Sequence, residues 1–366
     1  MRLSDILKKH NQQAKPAQPG TKQEPVKNEQ VVTVKTAKLQ VPPSLISKIP
    51  ILAPEETYKK SVNEIKSIIE HIDRGDEFPN KIESVQELIE LVEDRNEDIS
   101  ILADKATPDL YLYSHSVNVC IFTLILGKQM GLSGDNLKEL GYSSFLHDIG
   151  MIKHMNTVQK KGRLTAAEFN LVKKHPMNGH ELVRMLANIS PEIKDIAATV
   201  ISHIHERVNG AGYPTGLKGK DIHVLARMTA IGDVYEALTH PRPYRDRYIP
   251  HEALKLMITS ADTDFDADLL KAFIETISLY PPGSYVRLNS DDIARVIKLN
   301  QGLPTRPVVR VIANAKGQKV TETKIIDLSA ISVLFIKEAI DETKLESIDK
   351  RLALELKAVR WWVKGL

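Results

Sequence analysis

An almost unbroken helical pattern of apolar residues constrains the fold of this chain more than any other feature. The pattern runs from Asp109 to about Tyr280, and one glycine-rich stretch, Asn209–Pro214, interrupts it as a loop. Apolar side chains that recur every three to four positions predict helices that bury one face. A pattern of this length therefore predicts a helical bundle.

Two more helices are predicted before this bundle. Apolar residues recur at helical spacing from Pro54 to Ala106, and the pattern breaks near Gly75 and Pro79. This arrangement predicts a pair of helices that packs on the bundle. Residues 11–40, by contrast, are rich in Gln, Lys, Pro and Thr and almost free of large apolar side chains, which predicts a disordered linker.

The character of the sequence changes after Pro281. Arg306–Ile312 predicts a strand, and Val320–Ile326 predicts a return strand that closes a hairpin. Val333–Ile336 predicts a further strand, and we expect a final helix from about Thr343. The fold class expected for the whole chain is mostly α, with a small β-rich C-terminal appendage.

Composition excludes several classes of protein. Fifty basic and 47 acidic residues leave a formal charge of +3, which is too small to indicate a nucleic-acid partner. A single cysteine, Cys120, excludes a disulfide framework and is expected to be a small buried side chain. The N terminus has no signal-peptide pattern, and no apolar run reaches the roughly 18–20 residues of a membrane span. We therefore expect a cytoplasmic protein.

The dipeptide His147-Asp148 is the candidate core of a metal site. A histidine followed by an aspartate can supply two ligands from one helix end, and the second carboxylate oxygen can bridge to a neighbouring ion. Four further candidate ligands lie along the helical region: His115, His175, His205 and Asp233. Imidazole and carboxylate ligands without a thiolate suit Fe, Mn, Zn, Ni or Mg. Any one of these histidines alone is more often an ordinary core or surface residue, so the motifs around them decide the interpretation.

These residues lie in motifs that follow one another in a specific order. The motifs are Tyr113–Val117, Leu146–Gly150, Leu164–Phe169 with Lys174–Pro176, His205–Pro214, and Asp233–Thr239 with Arg242–Arg245. This ordered run, over roughly residues 105–285, resembles the HD-GYP family, the cyclic di-GMP phosphodiesterase branch of the HD metal-dependent phosphohydrolases. The stretch from Pro281 to about Leu328 resembles the small β appendage of some members.

The resemblance implies a helical HD-type bundle and a metal-binding role for each matching histidine and aspartate. His115, His147, Asp148 and Asp233 would hold one divalent ion, with Fe or Mn as the expected metal. Asp148 would bridge to a second ion that His175 and His205 also hold. His147 and Asp148 are accordingly the expected catalytic residues, since two bridged ions activate water for attack on phosphorus.

The resemblance also implies a substrate-binding surface for cyclic di-GMP. Gly210 and Gly212 would let the loop backbone approach the substrate, and Tyr213 would offer a face for guanine. Arg242 and Arg245 carry planar forks suited to phosphate or to a guanine edge.

Four positions depart from the family pattern. Met151 stands where the family has a lysine near the scissile phosphate, and Ile204 stands where it has the first of two histidines. Asn209 and Glu236 replace aspartates, which are milder changes. The missing imidazole leaves the second ion with three protein ligands, and loss of one fixed charge at a phosphoryl site can cost on the order of 10²–10³ in rate.

These departures leave two functions open. The first is a metal-dependent phosphodiesterase that opens cyclic di-GMP to a linear dinucleotide, with GMP as a further product left open. The second is a weakened or inactive HD-GYP protein that acts as a cyclic di-GMP receptor or a protein-interaction scaffold. A hydrolase for another nucleotide is a more distant third alternative.

The domain boundaries expected from these patterns divide the chain into four parts. They are 1–45 (short helix and disordered linker), 46–104 (helical N-terminal segment), 105–285 (HD-GYP domain) and 286–366 (β-rich appendage with a C-terminal helix). The N-terminal segment is the candidate surface for a signalling-protein partner, and a homodimer stays an open alternative.

Overall fold

The computed structural model describes residues 54–76, 82–94, 111–158, 160, 162, 164–187, 189–241 and 247–341. The predicted short N-terminal helix, the linker over 11–40 and the predicted C-terminal helix lie outside these ranges. Within them, a helical part is followed by a five-stranded antiparallel sheet. The predicted fold class, mostly α with a β-rich appendage, is confirmed.

The α-helices of the described residues, together with the segments that join them, position the residues of the site. In chain order they are α1 (Pro54–Arg74), α2 (Ser84–Asp94), α3 (Tyr111–Gln129), α4 (Gly134–Phe145), α5 (Met155–Val158), α6 (Ala166–Val172), α7 (His175–Met185), α8 (Pro191–His203), α9 (Val224–Thr239), α10 (Pro250–Thr259) and α11 (Ala267–Ile277). Short 3₁₀ turns at Ile149–His154 and Gly219–Asp221 join some of them.

Helix α3 is the centre of the bundle. Residues on every side of it are buried, and it packs against α1, α2, α4, α9 and α11. A helix that is apolar all round belongs in the core of a larger helical protein. The predicted pair of helices before the bundle is confirmed as α1 and α2, whose apolar positions such as Val62, Ile65 and Ile69 are buried. Cys120, on α3, is fully buried as expected, and burial raises the pKa of its thiol to about 12.

The starts of α6 and α7 follow from their sequences. Thr165 and Glu168 form a capping box, in which each side chain accepts a hydrogen bond from the backbone N–H of the other. Pro176 lies in the first turn of α7, where its missing N–H does no harm. The capping box fixes the start of α6, and Pro176 favours a helix start at His175.

The sheet consists of β1 (Tyr285–Leu288), β2 (Ile293–Lys298), β3 (Val308–Ala313), β4 (Lys319–Asp327) and β5 (Ile336–Ile340), in the order β4-β3-β2-β1-β5. All neighbouring strands are antiparallel. Its buried core contains Tyr285, Ile293, Ala313 and Ile340. The predicted hairpin is confirmed by β3 and β4, while β1 and β2 are strands that the sequence patterns did not predict.

The predicted strand over Val333–Ile336 is wrong except at its last residue. The chain before β5 forms a turn, in which Leu334 N–H donates to the Ile331 carbonyl at 3.2 Å, and Val333 is 78% exposed. The guanidinium of Arg306 donates to the carbonyls of Ser332 and Leu334 at 3.3 and 2.9 Å. Because a side chain already satisfies these carbonyls, this stretch has no need of a partner strand.

No helix in the described ranges combines the length and the apolar character that a bilayer-spanning segment requires.

Candidate metal centre

The six predicted metal ligands come from five separate places along the helical part. His115 lies in the first turns of α3, Asp233 lies within α9, and His175 begins α7. His147 and Asp148 occupy the short connection between α4 and the 3₁₀ turn at Ile149–His154. His205 follows the end of α8. The structure brings all six together.

They form two groups of three. The first cluster consists of His115, His147 and Asp233, and the second cluster consists of Asp148, His175 and His205. In each cluster the ligand atoms lie within 4.8 Å of one another. Both clusters are compatible with binding a divalent metal ion, because imidazole and carboxylate groups converge on one point in each.

Hydrogen bonds on the far side of the imidazole rings orient them toward these points. His147 Nδ1 lies 2.8 Å from the Ser144 carbonyl, and His175 Nδ1 lies 2.7 Å from the Val172 carbonyl. A carbonyl only accepts, so each Nδ1 donates a proton and Nε2 is the ring atom that faces the cluster. His115 Nδ1 contacts the Glu236 carboxylate in the same way.

The Nε2 atoms of these rings lie close to other ring nitrogens. His147 Nε2 lies 3.3 Å from His115 Nε2, and His175 Nε2 lies 2.9 Å from His205 Nε2. In the first pair both Nδ1 atoms face acceptors, so the two Nε2 lone pairs repel, whereas a cation between them would be bound by both. This arrangement is the observation that best fits the residues to metal ions.

Asp148 lies between the two clusters. Its Oδ1 atom is 3.3 Å from His175 Nε2 and 3.6 Å from His147 Nε2, and its Oδ2 atom is 3.6 Å from His115 Nε2. Oδ1 is buried and has no hydrogen-bond partner in the part of the chain that the structure describes. A buried, unpaired carboxylate oxygen is costly unless a cation compensates it. Asp148 therefore has the position of a bridging ligand.

The electrostatics keep the site ready for cations at neutral pH. Burial lowers the pKa of His147, and it lowers the pKa of His205 to about 3. Burial alone would raise the pKa of Asp148 and of Asp233, but the neighbouring histidines outweigh it, holding the first well below its usual value and the second at about 2. Neutral imidazoles and ionised carboxylates are the forms that bind metal.

The glycine-rich loop after His205 is anchored by Glu206. This carboxylate is 2% exposed and accepts from the backbone N–H groups of Thr215, Gly216 and Leu217 at 2.7 to 3.1 Å. The Thr215 hydroxyl donates to it as well, at 2.8 Å. A carboxylate that receives this many donors holds the loop in one conformation.

The loop lies directly against the second cluster. The Tyr213 ring stacks on the His205 ring with centroids 5.0 Å apart and an angle of 20° between the planes. A methyl group built on Gly212 would overlap the backbone of Glu206 and Arg207, so only glycine allows this approach. Gly210 closes the preceding turn by donating to the Arg207 carbonyl at 2.7 Å. The loop that carries Tyr213 is thus packed on the segment that carries His205.

The structure places three of the four departures from the family pattern as follows. Ile204 is fully buried in the core, and the second cluster contains the three remaining ligands. Met151 is half-buried in the 3₁₀ turn after Asp148. The Asn209 side chain accepts from the Ala211 N–H at 2.8 Å, a turn contact that an aspartate would also make. Arg242 and Arg245, the predicted phosphate ligands, lie outside the described residues.

Sequence reasoning did not find the residues that support the ligands. Glu236 was noted as a departure, but its contact with His115 was not predicted, and neither was the anchoring role of Glu206. A signal was available in the helical spacing, because Glu236 lies three positions after Asp233 on α9 and therefore shares its face.

Comparison with known protein families agrees with this geometry. Residues 88–269 match the HD domain family, and residues 285–348 match the KOW domain associated with HD domain. Over 223 residues the chain is 35% identical to the cyclic di-GMP phosphodiesterase PA4108 of Pseudomonas aeruginosa, a match that covers 61% of this chain and 53% of that protein. The chain belongs to the HD-GYP family.

The names of other relatives of this HD-GYP protein include more than one substrate. The cyclic di-GMP phosphodiesterase PdeB of Borreliella burgdorferi is 28% identical, over 67% of this chain and 64% of that protein. The 3'3'-cGAMP-specific phosphodiesterase 3 of Vibrio cholerae is 30% identical, over 49% of this chain and 38% of that protein. The chain thus spans about half to two thirds of the length of the first two curated relatives that it matches.

Proposed function

We propose that this HD-GYP protein is a metal-dependent phosphodiesterase that hydrolyses cyclic di-GMP to a linear dinucleotide in bacterial second-messenger signalling. The observation that carries the proposal is the pair of three-residue clusters with Asp148 between them. Relatives named as cyclic di-GMP phosphodiesterases support the choice of substrate. We place the activity in the cytoplasm.

Each cluster residue has a defined part in this reaction. His115, His147 and Asp233 would hold one ion, His175 and His205 would hold the other, and Asp148 would join them. Two divalent cations held by these residues would lower the pKa of a water molecule and offset negative charge on the phosphate oxygens. Iron or manganese suits a site of imidazole and carboxylate ligands that lacks a thiolate.

The remaining site residues would hold the nucleotide. Tyr213, fixed by its loop beside His205, would offer a face of its ring to a guanine base, and Gly210 and Gly212 would let the loop backbone lie close to the substrate. Arg242 and Arg245 stay proposed as phosphate or guanine ligands. The boundaries 46–104, 105–285 and 286–366 stay proposed for the helical segment, the HD-GYP domain and the appendage.

A second candidate function is a receptor for cyclic di-GMP without turnover. It is favoured by Met151 and Ile204, because one removes a cation and the other an imidazole from the family pattern. The loss of the imidazole at Ile204 is the weaker argument, because Asp148, His175 and His205 still converge.

Metal analysis combined with turnover separates these two functions. The full chain is loaded anaerobically with Fe²⁺, or with Mn²⁺ in air, its metal content is measured, and cyclic di-GMP and 3'3'-cGAMP are offered as alternative substrates. We expect two ions per chain and conversion of cyclic di-GMP to a linear product, which chromatography would detect. Two bound ions and tight nucleotide binding without any product would overturn the phosphodiesterase and establish the receptor.

Lys173 is the candidate replacement for the cation missing at Met151. Its ammonium group lies 5.4 Å from the centroid of the Tyr213 ring and 4.9 Å from that of Phe169, and it has no carboxylate partner among the described residues. Because Tyr213 stacks on His205, this charge lies near the second cluster. We expect Lys173→Met to lower kcat/KM by about 10²-fold, and Met151→Lys in that background to restore part of the loss.

The neighbouring lysine provides the matched control. Lys174 is exposed and precedes His175 directly. Lys174→Met should leave kcat/KM within about twofold of the wild type. Equal losses in the two variants would show that Lys173 has no special role and that the effect is one of overall charge.

A further inference from the structure

A chain of buried hydrogen bonds connects α1 to the metal ligand His115. The Tyr58 hydroxyl, on α1, donates to Asn118 Oδ1 at 2.9 Å. Asn118 Nδ2, on α3, donates to Glu236 Oε1 at 3.2 Å, and the other oxygen of Glu236, on α9, contacts His115 Nδ1. Tyr58, Asn118 and Glu236 are 2%, 0% and 1% exposed, so water does not compete for these bonds.

The direction of these bonds is fixed by the chemistry of the groups. An amide oxygen only accepts and an amide nitrogen only donates, so Tyr58 must donate to Asn118, and Asn118 must donate to the carboxylate. The other oxygen of the Glu236 carboxylate then accepts from His115 Nδ1–H. This leaves the Nε2 lone pair of His115 aimed at the first cluster, 3.3 Å from Asp233 Oδ1.

The groups that orient the His115 ring differ from those that orient His147 and His175. His147 and His175 are held by carbonyls of Ser144 and Val172, three residues earlier in their own segments. His115 is held by side chains from two other helices, α9 and, through Asn118, α1. Its orientation therefore depends on how these helices pack, whereas that of His147 and His175 is a local property.

Tyr58 also lies outside the part of the chain that matches the HD domain family, which begins at residue 88. The segment before that match thus supplies one group of a hydrogen-bond network that ends on His115. A partner of this kind tunes the basicity of a ligating histidine, and its removal typically costs 10- to 100-fold in metal affinity.

We propose that Tyr58, Asn118 and Glu236 form a positioning relay through which the placement of α1 sets the metal affinity of the first cluster. The relay rests on the proposed function, because it presupposes that the first cluster binds an ion. An event that shifts α1 would break the hydrogen bond from Tyr58 to Asn118. Asn118 would then hold the Glu236 carboxylate less firmly, and the orientation of the His115 ring would be less well fixed. The N-terminal segment would in this way regulate metal occupancy without touching the substrate.

Conservative variants of the full chain test the relay by metal binding. Tyr58→Phe removes the hydroxyl and keeps the ring in the core. We expect it to weaken one of two Mn²⁺ sites by about 10-fold, and Glu236→Gln to weaken the same site by up to about 100-fold, in competition titrations with a chelating dye. In the Glu236→Gln background, Tyr58→Phe should have little further effect, because the two groups act through one bond network.

Two further measurements separate positioning from general destabilisation. Tyr142→Phe is the matched control, since the Tyr142 hydroxyl donates to the Ile82 carbonyl at 3.1 Å, away from the relay; it should leave both sites at wild-type affinity. Nitrogen NMR of the histidine side chains in metal-free protein should show His115 protonated at Nδ1 in the wild type and a mixture of tautomers in Glu236→Gln. Glu236→Asp should recover the tautomer in part.

The outcomes distinguish the relay from the proposed function. Wild-type affinity at both sites in Tyr58→Phe, or losses that simply add in the double variant, would overturn the relay. If the wild type binds two ions but yields no product, the phosphodiesterase fails while the relay is still measured. A wild type that binds no ion at all would overturn both.

Discussion

Replacing Asp148 with asparagine should remove both the metal and the activity. The change keeps the size of the side chain but takes away the charge that lies between the two clusters, 3.3 Å from His175 and 3.6 Å from His147. Without it the second cluster has no carboxylate, and the first cluster keeps only Asp233. We expect fewer than one Mn²⁺ per chain by elemental analysis, and a loss of cyclic di-GMP turnover of at least about 10³-fold.

The matched control for this variant is Asp135→Asn on α4. The Asp135 side chain is 91% exposed and pairs with Lys138 at 3.2 Å, so its loss should change neither metal content nor rate. Retention of two ions by Asp148→Asn would show that Asp148 is not the bridging ligand.

Gly150→Ala should disable the second cluster by moving α7. A methyl group on Gly150 would overlap the backbone carbonyl of His175 and lie 2.5 Å from the amide nitrogen of Gly179. Both contacts are with backbone atoms, so no side-chain rotation can relieve them. We expect the free energy of unfolding of metal-free protein, measured with urea, to fall by about 1–3 kcal/mol. Because His175 is displaced, the second ion should also bind at least about 10-fold more weakly.

Gly131→Ala separates these two effects. Gly131 has a φ of +82° with open space around it, so alanine there costs backbone strain of about 1 kcal/mol but touches no ligand. Metal affinity should stay at the wild-type value. If Gly150→Ala destabilises the fold but binds both ions normally, α7 can adjust without moving His175, and the predicted coupling is wrong.

The fold could be predicted where local periodicity decides it. The helices α1 and α2 and the hairpin of β3 and β4 follow from apolar spacing and breaks in the sequence. The turn before β5 could not be predicted, because Arg306, more than twenty positions away, satisfies its carbonyls. The strand β1 has only four residues, and one of its two neighbours, β5, comes from a distant part of the chain.

The ligand set could be proposed from the sequence because the motifs around it are specific, and the structure brings the six residues together. The hydrogen bonds behind them could not be proposed. Asn118 and Tyr58 lie in no recognisable motif, and their importance arises only when α1, α3 and α9 pack together. Lys173 likewise approaches Tyr213 across a gap of forty positions in the chain that no local pattern records.

His205 and Glu206 are consecutive residues with different tasks, since one faces the second cluster and the other anchors the glycine-rich loop. An ion held by His205 would therefore lie one residue away from the anchor of the loop. Metal starvation should then do more than slow the chemistry. It should also weaken nucleotide affinity, so that the apparent KM for cyclic di-GMP rises as the concentration of free metal falls. The protein would then respond to the concentrations of both the metal and the nucleotide.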